Sequence, residues 1–432
     1  MRILFISKNG LGVNIAKLMH ESGHEIKLYI KQKKSKQIFD FIVPKINNWR
    51  KELSWVKKDG LIVFDDCGLG KTQDTLRKKG YKVFGGSEII DKLEYDREYS
   101  QEILNQSGMN VFPLKSFKNV IDAAEYAKDN PDFWVIKRNG DNHKFISYVG
   151  EKEDGKDVLD LLKNYSLIKK INKESLTLQK KVSGVEIAVG RFFNGKDWVG
   201  PMCINIEHPH LFSGNIGPYT SEMGTLAWYT DEENKLYKET LGKLKKYLIE
   251  VKYRGDIDIN CIVNEHGIFV LEATPRLGSP IVHLQSEIHD SGWAELMLSI
   301  ASEKQFDLQY KKGYGIVFLI AVPPFPFNGV FKTEMCNGLS IDLSKCNKEE
   351  LKHIHFEEVS KRIIGGKEDY YISDHEGYIL YVTSHAPTIK EAREKALNII
   401  KKIHVPKMFY RNDIGLKFEN EDFQKLKDWG II

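Results

Sequence analysis

Short apolar runs alternate with amphipathic segments through the first 90 residues, and this alternation restricts the possible folds more than any other feature of the sequence. The runs are rich in strand-favouring residues and lie at positions 2–7, 24–30, 61–64 and 81–84. A strand, a helix and a further strand in series form a βαβ unit, in which the two strands are parallel. We therefore predict a parallel sheet with helices on both faces, which is a doubly wound α/β domain.

The middle of the chain has a different pattern. Strand-like runs follow one another closely, several of them joined by short Gly or Asn-Gly turns, at positions 134–137, 175–182, 186–193, 257–263 and 268–272. Closely spaced strands pair as hairpins, so an antiparallel sheet is predicted here. Further strands are predicted over 314–322 and 377–383, and helices over 93–106, 233–251 and 389–403. The fold class is thus a multidomain combination of α/β and α+β architecture.

Composition excludes several classes of protein. The chain has 432 residues, enough for several domains, and its 64 basic and 60 acidic residues leave a net charge of +4, which gives no reason to expect nucleic acid or an anionic membrane. The longest apolar run, 316–322, is far shorter than the roughly 20 residues of a membrane helix. The first residues lack the pattern of a signal peptide, and the five cysteines include no C-x-x-C pair. We therefore expect a soluble protein of the reducing cytoplasm.

The segment 253–280 contains the most informative polar pattern. It is typical of a hairpin, in which Asp258 and Asn260 project to one face of the first strand, and Glu272 and Thr274 to one face of the second. Oxygen ligands that face each other across a hairpin can hold Mg²⁺ on nucleotide phosphates. The alternative is a set of solvated polar positions at a sheet edge.

Three other signals are each open to a structural explanation. Lys137 ends an apolar strand, where its ammonium suits a phosphate but is also where a strand meets water. Glu186 could bind ribose hydroxyls or could simply be solvated beside a turn. Residues 68–72 read GLGKT, like the end of a P-loop, but Asp65 stands where that motif has its first glycine, and its carboxylate would repel a phosphate. A P-loop is therefore rejected.

Two residue pairs are also ambiguous. Gly10 and Gly12 follow the first strand as a partial G-x-G, but Ile15 stands in place of the third glycine of a dinucleotide-binding motif. His208 and His210 have the spacing of metal ligands. No third ligand is evident, however, and a turn between the two histidines explains them equally well.

Four stretches occur in the order and at the distances found in one protein family. Residues 83–94 contain VFGGS and LE, residues 214–224 read GNIGPYTSEMG, residues 271–280 read LEATPRLGSP, and residues 391–415 contain EAREKA and FYRNDIG. They resemble V-F-G-P-S with L-E-x-S-K, G-P-N-T-G-G-M-G, L-E-F-N-C-R-F-G-D-P, and E-A-R-E-K-A with F-Y-R-x-D-I-G of the phosphoribosylamine-glycine ligase family. This family, also called the glycinamide ribonucleotide synthetases, belongs to the ATP-grasp superfamily. The resemblance spans nearly the whole chain.

The resemblance implies three domains and a reaction. The expected domains are a doubly wound N-terminal domain over 1–90, an ATP-grasp core over 91–305 with a mobile lobe at about 113–185, and a C-terminal α+β domain over 306–432. In the implied reaction, ATP phosphorylates the carboxylate of an amino acid, and an amine then attacks the acyl phosphate to give an amide, ADP and phosphate. Such chemistry needs positioning and charge neutralisation rather than an enzyme nucleophile. The implied cofactors are ATP and Mg²⁺ or Mn²⁺.

The resemblance assigns residues to the ATP side of this reaction. Lys137 would contact an ATP phosphate, Glu186 would bind the ribose, and Arg97 stands where the family has the lysine of L-E-x-S-K. The hinge that holds adenine would comprise Gln179, Lys180, Lys181 and Val182.

The metal ligands and the second catalytic residue lie in the 253–280 segment. Glu272 and Thr274 fall on the family's metal-binding E-x-N, with Thr in place of Asn. Asp258 has no counterpart in the ligases themselves, but it lies where other ATP-grasp enzymes place a metal-binding Asp. Arg276 would stabilise the acyl phosphate, so Arg276 and Lys137 are the predicted catalytic residues.

The substrate side carries most of the departures from the family. By the same resemblance, the substrate-binding residues are Gly10, Gly12, Gly217, Pro218, Thr220, Met223, Gly224, Arg276 and Gly278. The family's N-terminal G-G-G-G-R-E-H reads SKNGLGV at 7–13, and its glycine-rich cover loop after V-I-K reads RNGDNHK at 138–144. The cover loop is shorter and poorer in glycine than in the family.

The resemblance implies that the chain joins glycine to 5-phosphoribosylamine and so forms glycinamide ribonucleotide in purine biosynthesis. Because the departures fall mainly on the acceptor side, one alternative is a ligase that joins an amino acid to a different amine, such as a modified nucleotide or another metabolite. A further alternative is an ATP-binding protein without ligase activity. The expected partners are the small-molecule substrates, without nucleic acid or membrane, and the chain would be a monomer or a small homo-oligomer.

Overall fold

The computed structural model describes residues 1–138, 147–169, 171–327 and 336–432. The strands are β1 Arg2–Ser7, β2 Glu25–Ile30, β3 Leu61–Phe64, β4 Lys82–Phe84, β5 Leu114–Phe117, β6 Trp134–Arg138, β7 Tyr148–Val149, β8 Leu176–Lys180, β9 Val185–Asn194, β10 Trp198–Glu207, β11 His210–Phe212, β12 Ile216–Tyr219, β13 Gly224–Thr230, β14 Arg254–Asn264, β15 Gly267–Thr274, β16 Tyr314–Ala321, β17 Ser340–Ile341, β18 Ile354–Phe356, β19 Val359–Ile364, β20 Lys367–Ile372 and β21 Tyr378–Ala386.

The α-helices are α1 Val13–Glu21, α2 Leu53–Val56, α3 Gly70–Lys78, α4 Glu88–Tyr95, α5 Arg97–Gln106, α6 Val120–Asp129, α7 Lys156–Leu167, α8 Lys235–Glu239, α9 Leu241–Glu250, α10 Ile281–Ile288, α11 Trp293–Ala301, α12 Lys348–Leu351, α13 Ile389–Ile400 and α14 Phe423–Asp428. A 3₁₀ helix covers Trp49–Glu52 and a π-helical turn covers Phe418–Asp422. Within the described ranges, none of the helices combines the length and the apolar content needed to cross a bilayer.

The four predicted N-terminal strands form one parallel sheet in the order β2-β1-β3-β4. Both faces of β1 are covered. Phe5 belongs to the main hydrophobic core, whereas Leu4 and Ile6 pack in a second cluster with Val56 of α2 and Leu76 of α3. Burial on both faces explains why β1 is an unbroken apolar run, and it confirms the doubly wound prediction.

A small antiparallel sheet in the order β5-β8-β6-β7 forms a lobe between residues 114 and 180. Helices α6 and α7 pack on it around a hydrophobic cluster of its own, which includes Val120, Trp134, Ile136, Val158 and Leu162. The lobe therefore has an independent core at the place where the sequence predicts a mobile lobe.

A larger antiparallel sheet has the order β15-β14-β9-β10-β13-β16-β21-β18. Strand β16 pairs with β13 through Gly224 and Phe318, so the chain after residue 305 continues the same sheet. The domain boundaries stay predictions, but the one at 305 falls between two parts of a continuous sheet. Strand β10 is not predicted by its sequence because Gly200 and Pro201 interrupt it. The structure places both residues at an irregularity in the pairing of β10 with β9.

Two predicted helices are each divided. The segment 93–106 lies in α4 and α5, which are separated at Asp96, and the Asp96 carboxylate accepts a hydrogen bond from the Tyr99 amide and so caps α5. The segment 233–251 is divided at Thr240, whose backbone leaves the helical region with φ −127° and ψ −99°. Each segment is predicted as one continuous helix because neither break interrupts the periodic spacing of its apolar residues.

Candidate active site

A polar basin lies on one face of the larger sheet. Its floor consists of two small residues of β9, Ala188 and Gly190. Its rim consists of Glu186, Asn205, Glu207, Asp258, Asn260, Glu272 and Thr274. We call these nine residues the sheet basin.

Strand register brings the basin together. Ala188 pairs with Asn205 on one side and with Asn260 on the other, and Asn260 in turn pairs with Glu272. In the neighbouring row, Asp258 pairs with Gly190 and with Thr274. Residues that pair across antiparallel strands share a face, as do residues two apart along one strand. The alternate residues of β9 and β14 are buried and apolar, which turns the polar face toward the site.

Three cations act on Glu272. The Arg97 guanidinium lies with Nη2 3.3 Å from Glu272 Oε2. Burial by itself would raise the pKa of Glu272, but the charges of Arg97, Lys137 and Arg276 outweigh burial, and the pKa lies below its usual range. Glu272 is therefore held ionised, as a metal ligand must be.

Lys137 is a residue of the lobe that lies close to the sheet basin. It lies on β6 opposite Thr177, and burial together with the charge of Arg97 lowers its pKa, while Glu272 and Glu186 oppose this shift. Burial raises the pKa of Glu186, and the charge of Lys137 opposes it. The predicted phosphate ligand and ribose ligand thus lie close enough to act on each other's charge.

Arg276 follows β15 and contacts the N-terminal part of the chain. Its Nε is 3.1 Å from Glu94 Oε1 and 3.7 Å from Asp66 Oδ1. A cavity of about 160 Å³ beside it is lined in part by Glu94, Arg97, Glu272 and Thr274. Two of the predicted metal ligands and both predicted arginines therefore line one space.

The predicted adenine hinge links β8 of the lobe to β9 of the larger sheet. Gln179 is buried, and Val182 is partly buried just before β9. Lys180 is exposed and its ammonium pairs with Asp132 Oδ2 at 2.5 Å. The Lys181 ammonium donates to the Gly150 carbonyl at 2.8 Å. Both lysine side chains are thus held within the lobe.

The predicted glycines of the first loop are engaged inside the protein. The Gly12 amide donates to Asp65 Oδ2 at 2.9 Å, and the Gly10 amide donates to Ser7 Oγ at 2.8 Å. The carboxylate of Asp65 thus lies at the start of α1, where a helix binds anions. Burial, together with the charge of Asp66, raises the pKa of Asp65 to about 7. Hydrogen bonds from Ser7, Gly12 and Lys8 lower this pKa but do not outweigh burial. The substrate role of both glycines stays a prediction.

The structure divides the predicted substrate residues between 217 and 224. Gly217 and Pro218 are exposed on β12. Thr220 is buried and its hydroxyl donates to the Pro209 carbonyl at 2.7 Å, while Met223 is 0% exposed. Gly224 begins β13 against Val317. These three residues pack at the start of β13, and the substrate role of all five residues stays a prediction. Separately, the Gly278 carbonyl accepts from the Val282 amide at 3.0 Å and so begins α10.

The motif FYRNDIG near the C-terminus holds the β11–β12 hairpin. Arg411 is 1% exposed, and it donates to both carboxylate oxygens of Asp413 at 2.8 Å. It also donates to the His210 carbonyl and to Asn215 Oδ1, each at 2.9 Å. Nε2 of His208 accepts from the Gly415 amide at 3.0 Å. Hydrogen bonds to the backbone therefore account for the histidines, and a turn explains them better than a metal site.

The sequence analysis did not identify Asn205 and Glu207 as site residues. It placed Asn260 on the same strand face as Asp258 but gave it no role. Burial, with the charges of Glu186 and Asp258, raises the pKa of Glu207 to about 8. The signal was present, because polar residues at positions 205 and 207 alternate with apolar ones in an otherwise apolar run.

The donors beside Arg97 fit a hard divalent cation. Glu272 of β15 pairs with Asn260 of β14, and Thr274 lies two residues after Glu272 on the same face of β15. Among the described residues, no three His, Cys, Asp or Glu side chains come together as metal ligands. One carboxylate with an amide and a hydroxyl leaves positions for phosphate oxygens and water, which is how Mg²⁺ is usually bound. The predicted cover loop at 138–144 lies almost entirely outside the described residues.

A small antiparallel lobe presents a lysine to a polar sheet face with two glutamates, as the ATP-grasp resemblance implies. Residues 95–281 match the family model described as phosphoribosylglycinamide synthetase, ATP-grasp (A) domain. This match over residues 95–281 confirms the resemblance predicted from the sequence, and the arrangement of the sheets confirms the predicted fold class.

Known relatives and structures extend this likeness beyond the domain. Phosphoribosylamine–glycine ligase of Clostridium acetobutylicum is 24% identical over 354 residues, which cover 78% of this chain and 80% of the relative. The crystal structure of phosphoribosylamine–glycine ligase from Thermotoga maritima has a TM-score of 0.71 at 19% identity, with coverage of 96% and 100%. The biotin carboxylase domain of Hydrogenobacter thermophilus 2-oxoglutarate carboxylase, solved with MgADP, has a TM-score of 0.64 at 12% identity, with coverage of 99% and 97%. These structures share the fold.

Proposed function

We propose that this chain is an ATP-dependent carboxylate–amine ligase that joins glycine to 5-phosphoribosylamine, giving glycinamide ribonucleotide, ADP and phosphate. The observation that carries the proposal is the convergence of Lys137, Arg97, Glu186 and Glu272 in the matched domain. Relatives named for this activity align over about four-fifths of both chains, which supports the same substrates.

The site residues have distinct roles in this proposal. Lys137 and Arg97 bind ATP phosphates, Glu186 binds the ribose, and residues 179–182 hold the adenine. Glu272, with Asn260 and Thr274, would hold Mg²⁺ or Mn²⁺. The metal role of Asp258, which pairs with Thr274, stays a prediction. When bound, the divalent cation supplies neutralisation of phosphate charge.

In this proposal the amide forms in two steps. The glycine carboxylate oxygen attacks the γ-phosphorus of ATP, ADP leaves, and Arg276 stabilises the charge of the acyl phosphate. The amine of phosphoribosylamine then attacks the acyl carbon and forms the C–N bond. The nitrogen loses one proton, and phosphate leaves with the C–O bond electrons. Arg276 is held for this role by Glu94 and Asp66. The predicted cytoplasmic location and oligomeric state remain predictions.

The test is magnesium-dependent ADP release by the purified chain with glycine and freshly generated phosphoribosylamine. We expect ADP only when both are present, and no ADP when either is omitted. A panel of other amino acids and amines serves as the comparison. Turnover with another pair, but none with glycine and phosphoribosylamine, would contradict the proposed substrates and retain the ligase chemistry.

A further inference from the structure

One corner of the sheet basin contains two acceptor atoms without partners. Asn205 Nδ2 donates to Asp258 Oδ2 at 2.8 Å. The remaining oxygens, Asp258 Oδ1 and Asn205 Oδ1, are buried and accept no hydrogen bond, and Asn205 is 1% exposed. Buried acceptors in proteins are normally paired, because an unpaired acceptor loses its hydration without compensation. This corner therefore offers two acceptor oxygens to a bound donor.

The charge of the corner favours a cationic donor. Asp258 contributes an acidic side chain, and a second acid, Glu207, lies close enough for the charge of Asp258 to raise its pKa. A bound cation would offset the repulsion between these two acids. The two unpaired acceptor oxygens of the corner match a primary ammonium, which has three N–H donors.

The neighbours of Asp258 are consistent with an amino acid as the ligand. Gly190 leaves room for the Asp258 carboxylate, because a Cβ at this position would be 3.0 Å from Asp258 Oδ2. Arg276 follows Thr274 by two residues, and its charge acts on Asp258. An amino acid whose ammonium group binds at Asp258 would therefore have its carboxylate on the side of Arg276.

We propose that Asp258 and Asn205 bind the ammonium group of the amino-acid substrate whose carboxylate is activated beside Arg276. The proposal rests on the proposed function and adds the groups that recognise its amino acid. It assigns Asp258 to substrate recognition, whereas Asn260 takes the place opposite Glu272.

The test compares glycine with glycolate, which carries a hydroxyl in place of the ammonium. In Asp258→Asn the side chain keeps its shape but loses its charge. We expect KM for glycine to rise about 10- to 100-fold, as for loss of a charge-assisted hydrogen bond. KM for ATP should stay within about twofold, and the preference for glycine over glycolate in kcat/KM should fall by a similar factor of about 10 to 100. A general loss of structure would lower both substrates' kcat/KM together.

Asp256→Asn is the matched control, because Asp256 is the acid two residues earlier in the same strand and its Oδ2 contacts Gln285. It should leave the glycine-to-glycolate ratio unchanged. An unchanged glycine-to-glycolate ratio of kcat/KM in Asp258→Asn would overturn the proposal. If this variant also required more Mg²⁺, Asp258 would be a metal ligand instead.

Calorimetric titration of glycine and glycolate into the wild type and Asp258→Asn, with a non-hydrolysable ATP analogue present, separates this inference from the proposed function. Absence of ADP release by the wild type with glycine and phosphoribosylamine would contradict the function alone. Selective loss of glycine binding in the variant would still support the ammonium site, and equal binding in both proteins would overturn it.

Discussion

Glu272 is the single side chain on which the ATP site depends most. Arg97 contacts its carboxylate, and Lys137 and Arg276 act on it through their charges. Replacement by Gln keeps the shape and removes the charge. We expect Glu272→Gln to lower magnesium-dependent ADP release at least about 100-fold, because one preorganised charge is worth that much in a phosphoryl-transfer site. A coupled assay for ADP measures the effect.

The matched control for this variant is Glu265→Gln. Glu265 lies in the exposed turn between the same two strands, β14 and β15. It should retain the activity of the wild type. Equal activity of Glu272→Gln and Glu265→Gln would contradict the assignment of Glu272 to the ATP site.

Asp65 predicts a pH dependence of stability. Its folded-state pKa of about 7 lies above the ordinary value of 3.8, so the folded chain keeps a proton that the unfolded chain releases between these values. Its contribution to stability is therefore present at low pH and is lost as pH rises toward 7. Relative to the wild type, Asp65→Asn should gain roughly 3 kcal/mol in the free energy of unfolding between pH 5 and pH 8. Urea unfolding at both pH values measures it, and parallel pH dependences would contradict it.

At the level of secondary-structure elements, the β11–β13 region shows how a motif that resembles a substrate loop has a structural role. Gly224 has φ +156°, and an added Cβ would lie 2.4 Å from the Val317 carbonyl oxygen. We expect Gly224→Ala to lower the free energy of unfolding by about 2 kcal/mol or more, since neither backbone can move without disturbing the β13–β16 pairing. Urea unfolding gives the value.

Gly214→Ala is the comparison for this variant, because Gly214 has φ +78° in the β11–β12 hairpin with no atom within 4 Å of an added Cβ. Its cost should be conformational only, roughly 1 kcal/mol. Losses of equal size in the two variants would show that the crowding at Gly224 has no effect on stability.

At the level of the whole molecule, the larger sheet joins the predicted core and C-terminal segments. Residues 316–321 of β16 are 0% exposed, and β16 covers the edge of β13. A chain that ends at residue 305 loses this strand and exposes an apolar sheet edge. We therefore expect the 1–305 fragment to aggregate or to lack a cooperative unfolding transition, as measured by size-exclusion chromatography and thermal denaturation.

Co-expression of 1–305 with 306–432 provides the control for truncation. The pairing between β13 and β16 is non-covalent, so the two pieces should form a soluble complex. A monodisperse 1–305 fragment with a cooperative transition would instead identify the first two segments as an independent folding unit.

Local patterns predicted most elements correctly, and their failures have identifiable causes. The strands of the N-terminal sheet follow from apolar runs that are buried on both faces. Strand β10 escaped prediction because Gly200 and Pro201 interrupt it, although the sheet accommodates them at an irregularity. Asp96 and Thr240 divide predicted helices through backbone conformation, which leaves the apolar period unchanged. In the site, Glu186 and Glu272 stood out in the sequence and received their roles from the resemblance, whereas Glu207 was not identified.

The sequence by itself determined the alternating architecture, the ATP-grasp resemblance and the polar faces of individual strands, because each depends on the order and period of nearby residues. The tertiary structure decided which polar residues meet. Asn205 and Asp258 are 53 positions apart, and only the registers of β10 and β14 with β9 bring their side chains to a 2.8 Å hydrogen bond. The alternation of residues along a strand specifies which face of the sheet a side chain occupies. Which side chain lies beside it on that face depends on the pairing of strands that are distant in sequence.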